Sequence, residues 1–540
     1  MRERVVRKRL GFGGSVGAVL LFCLSLTPSL LPRHWALQAV VSGITMAIGY
    51  GIGASIGAVA RRIWPRLPAA PTRAWWILGG VGGLLAAVFL GLGESWQREV
   101  RQLVDASPQT GWHPVPIATV AAGVFGLLLL AARGIRLATR RLANTFGRFS
   151  PRPVASVAAV GLVATLSYGL GQGVVFNGFI DIAERGAAAA NAAIPDGVSR
   201  PDSPYVSGGP GSLVPWDTLG AHGREFTAGA VPRAELSAFA GRPARDPIRV
   251  YVGRDSAPDL AAQAELAVRE LERTGGFDRS VLAVITTTGT GWVNAAVPES
   301  LEYMYAGDSA VVAMQYSYLP SWISFMADRE MATEAAETLI GAVRERLLQL
   351  PADERPKLVV YGESLGAHGT EAAFGDLDEL LAETDGALLA GPPHTNPIWR
   401  EVVSERDPNS PVWQPVYGGG EAVRFAQTAA DLSAEDGDPR VVYLQNASDP
   451  IVWWSPELLY EKPAWLDGSR GPDVSGAMQW FPVVTFWQVT VDLITSTKAP
   501  PGHGHSYHES VADGWAALIA PPGWTDADTA RLRPLLTPED

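Results

Sequence analysis

Cysteine and charge are both scarce in this sequence of 540 residues. It contains one cysteine, Cys23, and only 18% of its residues are charged. A single thiol excludes a fold held by internal disulfide bonds. Soluble domains carry about 25% charged residues, so the composition also excludes a disordered chain and a purely cytosolic enzyme. Part of the chain is therefore expected to lie in an apolar environment.

Acidic residues are nearly absent from the first third of the chain. Residues 1–180 hold 18 Lys and Arg but only 4 Asp and Glu, a net charge of +14. Residues 181–540 hold 25 Lys and Arg and 51 Asp and Glu, a net charge of −26. The acidic part argues against nucleic acid as a partner, because phosphates need a basic surface. The change of sign near residue 180 predicts a domain boundary.

Five apolar runs fill the basic part of the chain, each near or above the roughly 18 to 20 residues that span a bilayer as a helix. They occupy residues 10–32, 36–60, 74–93, 115–132 and 154–180. A cleaved signal peptide is the alternative for the first run, but no small-residue cleavage site follows it and four more runs come after. We therefore predict a transmembrane helical domain of five spans at residues 1–180.

Positive residues are unevenly divided between the loops that connect these runs. Fifteen Lys and Arg residues precede the first run or follow the second and fourth, which places them on one side of the membrane. The loops of the other side carry three Arg and three acidic residues. Because cytoplasmic loops are enriched in Lys and Arg, the N-terminus is predicted to be cytoplasmic. After five spans, the acidic part of this multi-pass cell-membrane protein is then extracytoplasmic.

Glycines recur at helical spacing within the predicted spans, as at Gly49, Gly53 and Gly57, and at Gly79 and Gly83. Small residues one turn apart let helix backbones pack closely in lipid, within one chain or between copies of an oligomer. No Asp, Glu or Lys lies inside a predicted span. Such residues usually mark ion pathways, so a transporter is not favoured.

Beyond residue 247 short apolar strands alternate with helices. Strands are predicted at residues 248–252, 281–286, 310–316, 357–361, 387–390 and 441–445, and helices at 259–274 and 329–350. Continuous apolar strands separated by helices are typical of a parallel sheet covered on both faces. We predict a juxtamembrane connector at residues 181–247 and a catalytic α/β domain with a mostly parallel sheet at residues 248–540.

A candidate nucleophile follows the strand at residues 357–361. There the chain reads Gly-Glu-Ser-Leu-Gly, with Ser364 between Gly362 and Gly366. This is the G-x-S-x-G nucleophile elbow in its strand-turn-helix context. The glycines are needed because side chains at those positions would clash with the neighbouring strand and helix. We therefore predict Ser364 as the nucleophile of a serine hydrolase.

A serine nucleophile needs a histidine to take its proton and a carboxylate to orient that histidine. In this fold the carboxylate follows the serine in the chain and the histidine comes last. Asp449 lies just past the strand at residues 441–445, where the acid is expected, although it could instead cap the helix that begins at Pro450. His505 directly precedes the predicted final helix and is our choice of base, with His503 as the alternative.

The same histidine cluster raises the question of a metal site. His503, His505 and His508 have H-x-H-x-x-H spacing, and neutral imidazoles are common zinc ligands. However, Tyr507 stands where the hydrolytic version of this pattern has Asp, and little chain remains to supply further ligands. We predict neither a metal nor another cofactor.

The oxyanion of an acyl-transfer intermediate needs two backbone N–H donors. Leu365, directly after the serine, is predicted to supply one of them. The second is expected from the Gly-rich loop that follows the strand at residues 281–286, at Thr288, Gly289 or Thr290. This loop has neither the Lys nor the spacing of a phosphate-binding P-loop, so a nucleotide site is not favoured.

These motifs resemble a known family, the membrane-anchored actinobacterial α/β-hydrolases, which join a multi-span N-terminal domain to a C-terminal α/β-hydrolase domain. The resemblance covers nearly the whole chain. Its most specific stretches are residues 288–292 (TGTGW), 315–322 (QYSYLPSW), 362–366 (GESLG), 443–445 (YLQ), 448–454 (SDPIVWW) and 502–505 (GHGH). It implies an α/β-hydrolase fold and serine hydrolase activity, but no particular substrate. Residues 483–497 depart from the pattern, since they fit a helix as well as the expected final strand.

Tryptophans are concentrated between the predicted acid and base. They are Trp453, Trp454, Trp465, Trp480 and Trp487. Such residues suit either an ordinary core or a cap at the lipid-water interface. Together with the membrane domain they favour an esterase or lipase-like enzyme of lipid metabolism in the cell envelope. Its expected partners are membrane lipids or lipid-linked acyl or aminoacyl esters. An acyltransferase with the same triad and a non-catalytic membrane scaffold remain as alternatives.

Overall fold

The computed structural model describes residues 10–66, 68–108, 111–169, 177–319, 324, 329–432 and 437–538. The basic residues at 1–9, the end of the fifth predicted span at residues 170–176, and Pro320 to Trp322 of one family-like stretch lie outside the described residues. The chain divides into two compact units. The first contains Met1–Phe179 and Trp454–Thr497, and the second contains Ile180–Trp453 and Lys498–Asp540.

The helices of the described chain are numbered in order. They are α1 (Phe12–Ser25), α2 (Trp35–Ile63), α3 (Thr72–Leu103), α4 (Pro114–Phe146), α5 (Arg152–Gly169), α6 (Asn177–Ala192), α7 (Gly220–Ala228), α8 (Arg233–Ala240), α9 (Leu260–Thr274), α10 (Ala296–Met304), α11 (Arg329–Leu348), α12 (Leu365–Ala372), α13 (Leu377–Glu383), α14 (Pro397–Ser404), α15 (Pro450–Trp453), α16 (Val484–Asp492), α17 (His508–Ile519) and α18 (Asp526–Leu532).

The prediction of five spans was wrong for the described residues. Three helices, α2, α3 and α4, are long and apolar enough to cross a membrane. Helix α1 has 14 residues, about 21 Å at 1.5 Å per residue, which is shorter than a hydrocarbon core of about 30 Å. The apolar part of α5, Val154–Leu166, is also shorter than a span. The apolar run at residues 10–32 misled the prediction because its last third is a buried non-helical loop containing Pro28 and Pro32.

Glycines on α1 and α2 bring these two helices into backbone contact. A Cβ atom on Gly17 would lie 2.1 Å from the carbonyl oxygen of Gly49, and one on Gly53 would lie 2.1 Å from that of Gly13. Side chains at these positions would therefore force the helices apart. The predicted glycine spacing thus serves packing inside the chain at Gly49 and Gly53, whereas open space surrounds Gly79.

Residues 454–497 fall within the range that we predicted as catalytic domain, yet they pack with the N-terminal helices in the first unit. Helix α16 occupies the stretch that fitted a strand or a helix equally well, so this stretch is a helix. The Asp492 carboxylate of α16 accepts a hydrogen bond from Arg33 Nε at 3.0 Å, and both side chains are fully buried. Gln488 donates to the carbonyl oxygen of Thr27 at 2.8 Å.

A seven-stranded sheet forms the centre of the second unit. Its strands are β1 (Ile248–Val252), β2 (Val281–Thr286), β3 (Ser309–Met314), β4 (Lys357–Glu363), β5 (Gly386–Ala390), β6 (Val423–Ala426) and β7 (Val441–Leu444). The order is β1-β3-β2-β4-β5-β7-β6, and every pair is parallel. Almost every strand residue is buried, as expected for a sheet covered on both faces. Strand β4 is central, so its carboxyl end lies where open parallel sheets usually bind ligands.

The predicted connector at residues 181–247 packs on the edge of this sheet. Val206 forms a parallel bridge with Arg249 of β1, and the amide of Tyr251 donates to Ser207 Oγ at 3.0 Å. Asn191 Oδ1 accepts from Gln315 Nε2 at 3.0 Å. These contacts make residues 180–247 part of the second unit, which contains them entirely.

Candidate active site

Ser364 occupies a strained turn between β4 and α12. Its backbone has φ 57° and ψ −121°. Residues other than glycine rarely adopt this backbone conformation. The surrounding structure imposes this strain, because the amide of Ser364 donates to the carbonyl of Ala390 at the end of β5 at 2.9 Å. Strain of this kind is concentrated at functional sites. The geometry agrees with the nucleophile elbow that the sequence predicts.

The two flanking glycines allow this turn to form. A Cβ on Gly362 would lie 2.4 Å from the carbonyl oxygen of Gly366, and a Cβ on Gly366 would lie 2.3 Å from that of Thr286. The first contact is with the start of α12 and the second is with the end of β2. Glycine is therefore required at both positions for the reason the motif suggested.

The structure brings Asp449 and His505 together. His505 Nδ1 lies 2.7 Å from Asp449 Oδ2, and both side chains are buried. The other carboxylate oxygen, Oδ1, accepts from the amide of Ile451 at 2.8 Å. Asp449 thus contacts His505 and also caps α15, while its role as the acid of a triad stays a prediction. Since Nδ1 faces the carboxylate, a base at this position would take a proton through Nε2.

Gly391 lies between the residue that holds the Ser364 amide and the imidazole of His505. It directly follows Ala390, the residue whose carbonyl holds the Ser364 amide. Its φ is 53°, and a Cβ there would lie 2.3 Å from His505 Cε1 and 2.6 Å from Nδ1. The backbone of Gly391 therefore lies against the imidazole and leaves it room. The sequence carried no signal for this glycine, because its contact partner is more than one hundred residues away.

Tyr507 also contacts the Asp449–His505 pair, although its place in the sequence pointed only against a zinc site. Its hydroxyl donates to Asp449 Oδ2 at 2.6 Å, the oxygen that also binds His505. Its ring meets the imidazole edge to face, with centroids 5.4 Å apart and planes at 90°. Its position two residues after the predicted base was the one available signal.

The remaining histidines of the cluster have different surroundings. His508 Nδ1 lies 2.9 Å from Asn294 Oδ1, and burial lowers the pKa of His508 below its ordinary value. His503 is half-buried, whereas His505 is 3% exposed. Within the part of the chain that is described, no group of three or more His, Cys, Asp or Glu residues is arranged to hold a metal ion.

Glu363, the residue before the serine, is a buried acid behind the site. Its Oε2 accepts from the hydroxyl of Tyr361 at 2.6 Å and from Asn294 Nδ2 at 3.3 Å. Burial raises the pKa of Glu363, and the charge of His505 together with these donors opposes the rise. Through Asn294, the carboxyl group is also linked to His508.

The predicted oxyanion donors are not equivalent in the structure. Leu365 is the first residue of α12, where N–H groups lack a partner within the helix. The amide of Thr288, in contrast, donates to the carbonyl of Trp292 at 3.3 Å within its own turn. Of the three predicted residues in that loop, Gly289 and Thr290 are thus the better candidates for the second donor.

The chain matches two models of known protein families. A model described as an alpha/beta-hydrolase family matches residues 248–532, which is more than half of the chain. The chain belongs to this alpha/beta-hydrolase family. A second model, described as the N-terminus of the same family, matches residues 26–230. No curated protein and no solved structure matches the chain.

Family membership accounts for the hydrolase fold and for the two-part organisation of the chain. The matched range 248–532 begins with β1 and contains every strand of the sheet. It also contains residues 454–497, although these pack with the N-terminal helices. The turn at Ser364 and the Asp449–His505 pair both lie inside the matched range.

Proposed function

We propose that this protein is a membrane-anchored serine hydrolase that cleaves carboxylic esters. The observation that carries the proposal is the strained backbone of Ser364. Its amide is bonded to Ala390, and the next residue, Gly391, lies against the imidazole of His505. Activation of a serine hydroxyl needs a histidine that a carboxylate orients, and His505 with Asp449 forms such a pair.

In the proposed mechanism, Ser364 Oγ attacks the ester carbonyl carbon while His505 Nε2 takes the hydroxyl proton. The negative charge formed on the carbonyl oxygen is stabilised by the amide of Leu365 and one from the 289–290 turn. When the tetrahedral intermediate collapses, His505 gives its proton to the departing alcohol and leaves an acyl-serine. A water molecule then attacks the acyl group with His505 as base, releasing the acid and restoring Ser364.

We further propose that the catalytic site is extracytoplasmic, which requires the apolar run at residues 154–180, part of which lies outside the described residues, to return the chain across the membrane after α4. Residues 454–497 contact the ends of the spans that are opposite to the Arg-rich loops. Asp492 accepts from Arg33 ahead of α2, and Ser475 donates to Glu99 near the end of α3 at 2.7 Å. The Arg-rich loops follow α2 and α4, and such loops are cytoplasmic. Because this segment begins and ends within a few residues of Asp449 and His505, its position supports the extracytoplasmic side.

The substrate class that we propose is a lipid or lipid-linked ester carrying an acyl or aminoacyl group. An enzyme anchored by apolar helices works at a surface where such esters are concentrated. Residues 454–497 add a cluster of aromatic side chains, in which Phe486 contacts both Trp454 and Trp487. Tryptophan is enriched at the membrane-water interface, which favours a substrate that is embedded in lipid.

The decisive experiment is labelling of the full chain with a fluorophosphonate, which reacts with activated serines. We expect the wild type and Ser404→Ala to be labelled and Ser364→Ala to remain unlabelled. Ser404 is an exposed serine whose hydroxyl donates to the carbonyl of Glu401 in its own helix at 2.9 Å, so it is a matched control. An unlabelled wild type would refute an enzyme and favour a scaffold. Equal labelling of Ser364→Ala would place the nucleophile elsewhere.

Substrate and reaction type are then tested with lipid vesicles. Ester-containing lipids in vesicles should be cleaved faster than water-soluble short-chain esters. Hydrolysis of the soluble esters alone would refute the lipid substrate. The products should be a free acid and an alcohol even when an acceptor lipid is present. Transfer of the acyl group to that acceptor would instead identify an acyltransferase.

A further inference from the structure

Tyr507 makes two hydrogen bonds that fix the direction of its hydroxyl proton. The oxygen lies 2.6 Å from Asp449 Oδ2 and 3.2 Å from the amide nitrogen of Asn446. An amide N–H can only donate, so the phenol accepts from Asn446 and must direct its own proton towards the carboxylate. The side chain is 1% exposed and that of Asp449 is fully buried, so water does not compete for this bond.

The phenol is also held in its neutral, donating form. Burial and the adjacent charge of Asp449 keep the pKa of Tyr507 well above its ordinary value. Tyr507 therefore remains a donor over the whole pH range in which a histidine titrates. Its target is Oδ2, the same oxygen that accepts from His505 Nδ1 at 2.7 Å. The two donors share the negative charge of one oxygen atom.

Sharing this charge has a predictable effect on His505. A hydrogen bond to an ionised carboxylate stabilises its charge, and the charge drawn towards the phenol no longer stabilises a protonated imidazole. Resting on the function proposed above, we infer that Tyr507 is a positioning residue that fixes the carboxylate of Asp449 and sets the base strength of His505. It acts through Asp449 and takes no part in the bond-making steps.

Other titratable groups near this pair come from neighbouring elements. Glu363, at the end of β4, interacts electrostatically with His505, Asp449 and Tyr507. His508, at the start of α17, reaches Glu363 only through Asn294, and His503 lies two residues before His505 in the same loop. Removing the hydroxyl of Tyr507 leaves all of these groups in place, so a change in pH dependence can be assigned to the lost bond.

The first test compares Tyr507→Phe with the wild type by measuring the rate of fluorophosphonate labelling from pH 5 to 9. The acidic limb of the profile should move to higher pH by roughly 0.5 to 1 unit, because the imidazolium gains the charge that the phenol had shared. The plateau rate should fall roughly threefold to tenfold as the carboxylate loses a fixed contact. Tyr443→Phe removes another buried phenol, one that donates to Glu371 at 3.1 Å, and should leave the limb in place.

A second variant keeps the hydroxyl and tests the same inference in the opposite direction. Site-specific replacement of Tyr507 by 3-fluorotyrosine makes the phenol a stronger donor at nearly unchanged size. The acidic limb should then move to lower pH. A limb that stays at its wild-type position in both variants, while both are labelled, would overturn the inference and leave the serine hydrolase intact. Absence of labelling in the wild type would instead refute the proposed function.

Discussion

Gly391 offers the sharpest test of the proposed site, because it touches the base without taking part in the chemistry. A Cβ at this position would lie 2.3 Å from His505 Cε1, whereas carbon atoms in contact are about 3.5 to 4.0 Å apart. In Gly391→Ala the imidazole must therefore retreat by roughly 1 Å or more. Misplacement of a catalytic group by about 1 Å costs on the order of 100-fold in rate, which is the loss that we expect.

The same substitution also strains the backbone. Gly391 has φ 53°, and an L-residue in this region costs roughly 1 to 2 kcal/mol. A modest loss of stability should accompany the loss of rate. Gly386→Ala is the matched control, since it lies at the start of the same strand and its Cβ would meet Leu518 at an ordinary 3.6 Å.

The assay measures two quantities on each full-length variant in detergent. The rate of fluorophosphonate labelling reports on the serine and its base, and thermal unfolding followed by tryptophan fluorescence reports on the fold. The Gly391→Ala variant should unfold cooperatively but react about 100-fold more slowly than Gly386→Ala. A folded Gly391→Ala protein that reacts within threefold of the control would show that His505 is not the base, or that it does not occupy this position.

Two further predictions concern buried charges, and thermal unfolding measures both. Replacing Asp492 alone by Leu should destabilise the protein by about 3 to 5 kcal/mol, because Arg33 is then buried without its carboxylate. Adding Arg33→Met should recover most of this loss. A double variant that is as unstable as Asp492→Leu would contradict this account. Burial raises the pKa of Glu371 to about 7, against the donors Asn396, Trp399 and Tyr443. The folded state thus holds a proton that the unfolded state loses near pH 4.5. This contribution to stability is complete below that pH and disappears as the pH rises through 7, a change of about 3 kcal/mol. The stability of wild type relative to Glu371→Gln should therefore decline over this window, and a difference independent of pH would count against a buried carboxyl that titrates there.

The parts of the site that were predictable from sequence have local signals. The elbow combines a short apolar strand, two glycines and a serine, and each strand predicted beyond residue 247 is present in the structure with small changes at its ends. The sequence favours His505 over His503 because His505 is nearer to the predicted helix that follows, which is α17 in the structure. The structure gives His505 the bond to Asp449, while its role as base remains a prediction.

The parts that were missed depend on contacts between distant residues. The association of α16 with the N-terminal helices rests on Arg33 and Asp492, which are 459 residues apart. Neither residue is unusual in its local sequence. The short β6 was missed because Val423–Ala426 contains an arginine and lacks a continuous apolar run. Gly391 likewise has a role only once the fold has placed His505 beside it.

The path of the chain through residues 454–497 has a consequence for how the protein can be divided. A fragment cut at residue 180 would keep α16 but lose Arg33 and the carbonyl groups that Gln488 binds. It would expose the buried residues of α16 to solvent. This helix belongs to the segment of chain between the two triad candidates Asp449 and His505. The N-terminal helices are therefore expected to be needed for the fold of residues 454–497. The two units alternate along the polypeptide. Replacing the N-terminal helices by those of another protein would therefore also change the contacts of residues 454–497, which lie between two parts of the second unit in the sequence.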